Sequence, residues 1–176
     1  VHSLQQLYGT HATLLMDQAF TVHNFKQMLE KNSFSIIHLA SHGQFDTDPQ
    51  KTFILTQEGK LTMDDFQKTI LLGKLRNEPL QLITLSACQT AVGDEQAALG
   101  LAGVAIKAGA LSALASLWFI EDRATSLLMS QFYRSLKVDK LSKVKSLQNA
   151  QQLLLKQKEY QHPAFWSPFL LIGNWL

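Results

Sequence analysis

Apolar residues gather in short blocks that polar segments separate at fairly regular intervals. Three blocks stand out: Phe34 to Ala40, Leu80 to Ala87 and Leu111 to Leu117. Each has strand length and little polar alternation, the pattern of a strand covered on both faces. Phe169 to Ile172 is a fourth, Thr13 to Met16 a short first one, and Phe53 to Thr56 a small strand or hairpin arm. Between them the spacing becomes helical. Val22, Phe25, Met28 and Leu29 form one stripe, and Met63, Phe66 and Ile70 a second. Ala97, Leu101, Val104, Ala105 and Ala108 form a small-residue stripe that can press close to a sheet. Leu127, Leu128, Phe132 and Leu136, then Val144, Leu147, Leu154 and Leu155, mark two more helices.

Punctuation agrees with this division. Thr62 with Asp65 three residues later has the form of a helix N-cap, and Asp122 is a candidate cap for the helix that follows it. Gly73 and Gly109 are fair helix stops. The stretch from Gln44 to Gln57, with Asp46, Thr47, Asp48 and Pro49, carries loop chemistry. Strands alternating with helices predict an α/β sandwich around a mostly parallel sheet, without repeats or an inner domain boundary.

Composition narrows the partners. The chain has 176 residues, 46% hydrophobic and 17% charged, enough for one domain with a true core. A net charge of +2 is too small to imply nucleic acid. Lys137, Lys140, Lys143 and Lys145 cluster, but Asp139 interrupts them and no aromatics interleave, so a solvated helix face is expected. One cysteine excludes an internal disulfide and a multi-cysteine zinc site, and suits a reducing, cytoplasmic setting. No apolar run reaches the ~18 residues of a membrane span. No signal peptide opens the chain, and Val1 in place of Met suggests a fragment of something longer.

In open α/β sheets, sites form beyond the carboxyl ends of the strands. His42 follows the first long block, Cys88 ends the second, and Trp118 to Asp122 follows the third. If the strands are parallel neighbours, about 4.8 Å apart, a thiol and an imidazole emerge at one edge. That is the minimum geometry for a cysteine nucleophile with a histidine base. Small and polar neighbours of Cys88 leave room for substrate, and a helix N-terminus nearby would favour thiolate. Gly43, lacking a Cβ, can present its N–H, and with the N–H of Cys88 it can bind an oxyanion. Glu121 and Asp122 can line a pocket for a basic substrate side chain, with Trp118 as a packing wall. His38 reads as a core histidine. A metal shared by His38 and His42 is disfavoured, because four residues of strand span about 13 Å.

These residues fall within ordered motifs. They are Ile37-His38-Leu39-Ala40-Ser41-His42-Gly43, Leu85-Ser86-Ala87-Cys88-Gln89-Thr90, Ser116-Leu117-Trp118-Phe119-Ile120-Glu121-Asp122 and His162-Pro163-Ala164-Phe165-Trp166-Ser167-Pro168-Phe169. Together they resemble the motifs of CHAT domains, caspase-like domains related to separases and gingipains. Two departures are visible: Gln89 stands where Glu is usual, and Asp94 to Gly100 replaces a Gly-Glu-Gly pattern. The resemblance implies a three-layer caspase-like α/β/α fold, over residues 1–176 as the C-terminal part of a longer chain. It also implies a cysteine endopeptidase with His42 as base and Cys88 as nucleophile. Asp122 matches the position that holds a basic substrate residue in separases. Protein or peptide substrates, an upstream tetratricopeptide-type repeat region and no cofactor are implied as well. Activity is expected to be latent in the isolated chain, with the loops Gln44 to Gln57 and Thr90 to Ala97 awaiting a partner. A catalytically silent interaction module is the rival reading. A nucleotide-binding domain ranks last, since no glycine-rich phosphate loop occurs.

Overall fold

The computed structural model describes residues 1–45, 51–74, 79–86, 89–90, 102–118 and 120–176. It is a mixed α/β fold with a mostly parallel central sheet, the class that the alternation predicts. Two compact units divide it: Leu15–Phe119 with Ile172–Asn174, and Val1–Leu14 with Ile120–Leu171 and Trp175–Leu176.

The first of these units carries the sheets. Strands β1 (Ile36–Leu39), β5 (Leu82–Leu85) and β7 (Ser112–Ser116) pair in parallel, and β8 (Phe169–Gly173) completes the order β1-β5-β7-β8. The last residues of β8 belong to this unit. Register aligns Ile37 with Ile83 and Ala113, and Leu39 with Leu85 and Ala115. Those two rows sit on one face and join the apolar cluster that Phe25 and Leu29 of α2 (Val22–Lys31) and Phe66 and Ile70 of α3 (Met63–Lys74) also enter. The row between them, His38 with Thr84 and Leu114, points to the opposite face, as the twofold period of a strand requires. Ala102, Ala105 and Ala108 are fully covered in the same apolar cluster; the first two lie on helical residues 102–107 (α4). Small side chains let that segment approach closely.

A second sheet continues from the first. Strand β2 (Gly43–Phe45) begins three residues after β1 ends, and β6 (Gln89–Thr90) lies three residues beyond β5. With β3 (Phe53–Leu55) and β4 (Lys60–Thr62) they make the order β4-β3-β2-β6, in which β2 and β6 are parallel and the other pairs antiparallel. The foreseen hairpin arm is β3. The stretch expected to be loop from Gln44 onward begins inside β2, whose Gly43 and Gln44 have weak strand propensity and are held by neighbours distant in sequence. Residues 46–50 and 91–97 of the two expected loops lie outside the described residues.

Local chemistry explains the helix starts. Thr62 accepts a hydrogen bond from the Asp65 N–H at 3.2 Å and donates to the Asp65 carboxylate at 3.0 Å, the reciprocal cap expected. Lys26 pairs with the same carboxylate at 3.1 Å, and its ammonium together with the Thr62 hydroxyl lowers the Asp65 pKa. Asp122 differs from its expected role. Glu121 is the N-cap of α5 (Asp122–Lys137) and makes no side-chain cap bond, while Asp122 is the first helical residue. Its charge there suits the positive end of the helix without capping it.

The other unit is helical. Helix α1 (His2–Tyr8), which the apolar pattern did not announce, meets α5 through Tyr8 and Tyr133 in an edge-on ring contact, and Lys137 donates to the Leu7 carbonyl at 2.6 Å. Helices α5 and α6 (Lys143–Leu155) pack on each other. Leu128 and Phe132 are buried as expected, but the covered face also takes Ala124, Met129, Tyr133 and Ser135. On α6, Leu147, Ala150 and Leu154 are buried, whereas Val144 and Leu155 are exposed, correcting the expected stripe. Lys143 is not a solvated cation. Its ammonium donates to the Leu176 carbonyl at 2.7 Å, and burial lowers its pKa.

Thr13 to Met16 forms no strand. The chain there is extended without a ladder and turns at Asp17, whose φ of 49° starts a 3₁₀ turn, while Leu15 packs on the core. A strand needs a partner edge as well as propensity.

Close approach fixes one glycine. Gly173 has φ of 90°, and a Cβ there would collide with the Leu111 carbonyl oxygen. Gly173→Ala is expected to cost about 1–3 kcal/mol, read as a lower urea midpoint with unchanged slope.

Candidate active site

Parallel pairing puts the C-terminal ends of β1, β5 and β7 on one edge of the sheet. Three segments leave the strands there: Ala40 to His42 from β1, Ser86 from β5, and Leu117 with Trp118 from β7. His42 is exposed. Its backbone is held firmly. Leu55 donates its N–H to the His42 carbonyl at 2.8 Å, and the Ser41 hydroxyl donates to the Leu55 carbonyl at 2.7 Å. The hairpin strand β3 therefore clamps the histidine segment from one side.

The same bond sets the orientation of the next residue. In an antiparallel ladder, backbone groups turn alternately toward and away from the partner. His42 bonds with Leu55, and Gly43 stands opposite Ile54 in the following, non-bonded position. Gly43 thus turns its N–H and C=O away from β3, toward the side on which β6 pairs. Gly43 itself is buried.

Ala87 and Cys88 lie outside the described residues, while Ser86 and Gln89 on either side are described. Leu39 aligns with Leu85 in the first sheet, and Gln44 aligns with Gln89 in the second. Ser86 adds an N–H bond to the Leu39 carbonyl at 3.0 Å.

Trp118 is half-buried just past the end of β7. Glu121 and Asp122 are exposed at the start of α5 in the helical unit, and Phe119 is outside the described residues.

Two residues have more definite roles than the sequence suggested. His38, expected to be a core histidine, shares a hydrogen bond of 3.0 Å between its Nε2 and the Ser86 hydroxyl. The residue is only half-buried, yet its ring is strongly desolvated. That desolvation favours the neutral ring and lowers its pKa to about 3. Ser86 is 9% exposed. The sequence could not reveal this pair, since 48 positions separate its members and only strand register unites them. Ser41 is the other addition; a serine beside a histidine gives no sign of a carbonyl partner 14 residues on.

The parallel sheet thus sends a loop histidine from its carboxyl edge into a small continuing sheet. A family model for the CHAT domain matches residues 1–174, and the chain belongs to that family of caspase-like domains. Tetratricopeptide repeat protein 28 of Mus musculus is 32% identical over 97 residues, covering 54% of this chain and 4% of that protein. The protein of the same name in Homo sapiens is 30% identical over 98 residues, with the same coverage. The match thus spans a small fraction of these relatives' length. Among the described residues no helix is long and apolar enough to cross a membrane.

The neutral histidine has a thermodynamic signature. Below about pH 6.5 the unfolded chain protonates this imidazole, while the folded chain resists until about pH 3. The unfolded state then binds more protons, so the contribution is complete above pH 6.5 and is lost as pH falls through that window. Urea unfolding of the wild type at pH 6 and pH 5 is expected to show about 1 kcal/mol more loss than His38→Gln. Equal losses would show that the ring titrates normally.

Proposed function

We propose that this domain is a thiol-dependent endopeptidase with Cys88 as nucleophile and His42 as its base. One observation carries the reading. His42 leaves β1 beside β5, and Gln89, one peptide bond after Cys88, pairs with Gln44, two residues after His42. The described residues on either side of Cys88, Leu85 and Gln89, thus pair with Leu39 and Gln44 on either side of His42, which supports the reading.

The chemistry follows from these parts. The Cys88 thiolate attacks the scissile carbonyl carbon. The developing oxyanion accepts hydrogen bonds from the N–H groups of Gly43 and Cys88, in keeping with a Gly43 backbone turned toward the β6 side. The His42 imidazolium gives its proton to the leaving amine. It then takes a proton from water, whose oxygen attacks the thioester; the acid leaves and the thiolate–imidazolium pair is restored. No cofactor enters either step. Asp122, with Glu121, supplies negative charge for a basic side chain before the scissile bond, and Trp118 forms an apolar wall.

The names of the two relatives support a tetratricopeptide-type repeat region upstream in the same chain, as sensor or scaffold. In this reading residues 1–176 act as one peptidase domain regulated by that region. A thiol that must stay reduced fits a cytoplasmic setting.

Peptide-library cleavage by the activated full-length protein tests the dyad. Cys88→Ala is expected to abolish turnover, and His42→Ala to reduce it by about 10²-fold or more. Cleavage retained by either variant removes the dyad. A silent wild type would favour a module that binds its partner without cutting. In the same assay, Asp122→Asn is expected to lower kcat/KM about tenfold for peptides with Lys or Arg before the cut, and to spare neutral ones.

A further inference from the structure

We infer that His38 and Ser86 form a positioning pair that sets the direction in which β5 hands the chain on to Cys88. The inference rests on the thiol–imidazole reading above and adds to it two residues that do no chemistry themselves.

Ser86 is the last described residue before Cys88, two positions upstream. It is held to β1 twice. Its N–H donates to the Leu39 carbonyl at 3.0 Å, and its hydroxyl is bonded to His38 Nε2 at 3.0 Å. The second link follows from strand periodicity. His38 aligns with Thr84, and Ser86, one residue past the end of β5, continues the Thr84 face within reach of a ring leaning along the strand.

Two features distinguish this pair from ordinary packing. First, Ser86 is almost covered, so its hydroxyl depends on a protein partner, and an unmet hydroxyl there would be costly. An aliphatic pair would fill the space without fixing any direction. Second, burial keeps the imidazole neutral, which suits it to orient a hydroxyl and not to act as a second base beside His42. The histidine segment has a separate anchor, the Ser41 and His42 bonds to Leu55. Each reactive residue thus has its own tether. The hairpin fixes the imidazole side, and the His38–Ser86 bond fixes the last described residue before the thiol. Thiolate stabilisation by a neighbouring imidazolium depends on their separation, so loosening either tether would weaken it.

Alkylation of Cys88 by iodoacetamide, followed against pH in the full-length protein, tests this without requiring a substrate. Ser86→Ala is expected to slow labelling at pH 7 about tenfold and move the rate–pH midpoint toward the ~8.5 of an unperturbed thiol. Ser86→Thr keeps a hydroxyl, and His38→Gln keeps a polar nitrogen near the Nε2 position. Both are expected to retain the wild-type midpoint. Should Ser86→Ala not fold, His38→Leu removes the same bond from the other strand and is read in the same way. Wild-type labelling in the alanine variant, with His42→Ala slowed, would overturn the positioning role and leave the dyad standing. If the threonine and glutamine variants fail alongside alanine, packing and not the bond is responsible, and the inference falls. Equal labelling of wild type and His42→Ala would end the dyad reading and this inference with it.

Discussion

The site depends on the parallel ladder between β1 and β5. Its hydrogen bonds carry no chemistry, yet they decide which side chains appear at the carboxyl edge and at what level. Ile37 lies beside Ile83 and Leu39 beside Leu85, on the face that joins the apolar cluster. A slip of one residue would carry those side chains to the opposite face and bring His38 into the apolar cluster. Core packing and site geometry are thus enforced by the same register.

Around that ladder the molecule divides its polar groups by environment. Exposed His42 is carried on a segment that a backbone bond and a serine hydroxyl anchor to Leu55. His38, four residues earlier, is kept neutral by burial and spends its Nε2 on a hydroxyl. Two residues of identical chemistry therefore differ by their depth along one strand. Lys143 makes the same point at the other end of the chain, where a nominally solvated cation lies buried against a backbone carbonyl.

What the sequence made legible was whatever depends on local pattern. The long apolar blocks became β1, β5, β7 and β8, the stripes at Phe25 and Phe66 became α2 and α3, and Thr62 with Asp65 became a cap. Features that depend on distant partners were hidden. Strands β2 and β6 are short, and exist because they pair with each other and β2 also with β3. Thr13 to Met16 shows the converse, strand-like residues without a ladder. Asp122 had the right residue type for a cap but stands one position too late. In the site, His42 was legible because it follows an apolar block, and Ser86 with His38 was not, because their meeting is a matter of register.

The two sheets count differently across the gap between them. From Leu39 to Gln44 there are four intervening residues, 40–43, while from Leu85 to Gln89 there are three, 86–88. The pairings at both ends fix where each bridge begins and ends. One extra residue between Leu39 and Gln44 would need a bulge to keep the side chains of both ladders on their own faces. Ordinary loops absorb such an insertion without one.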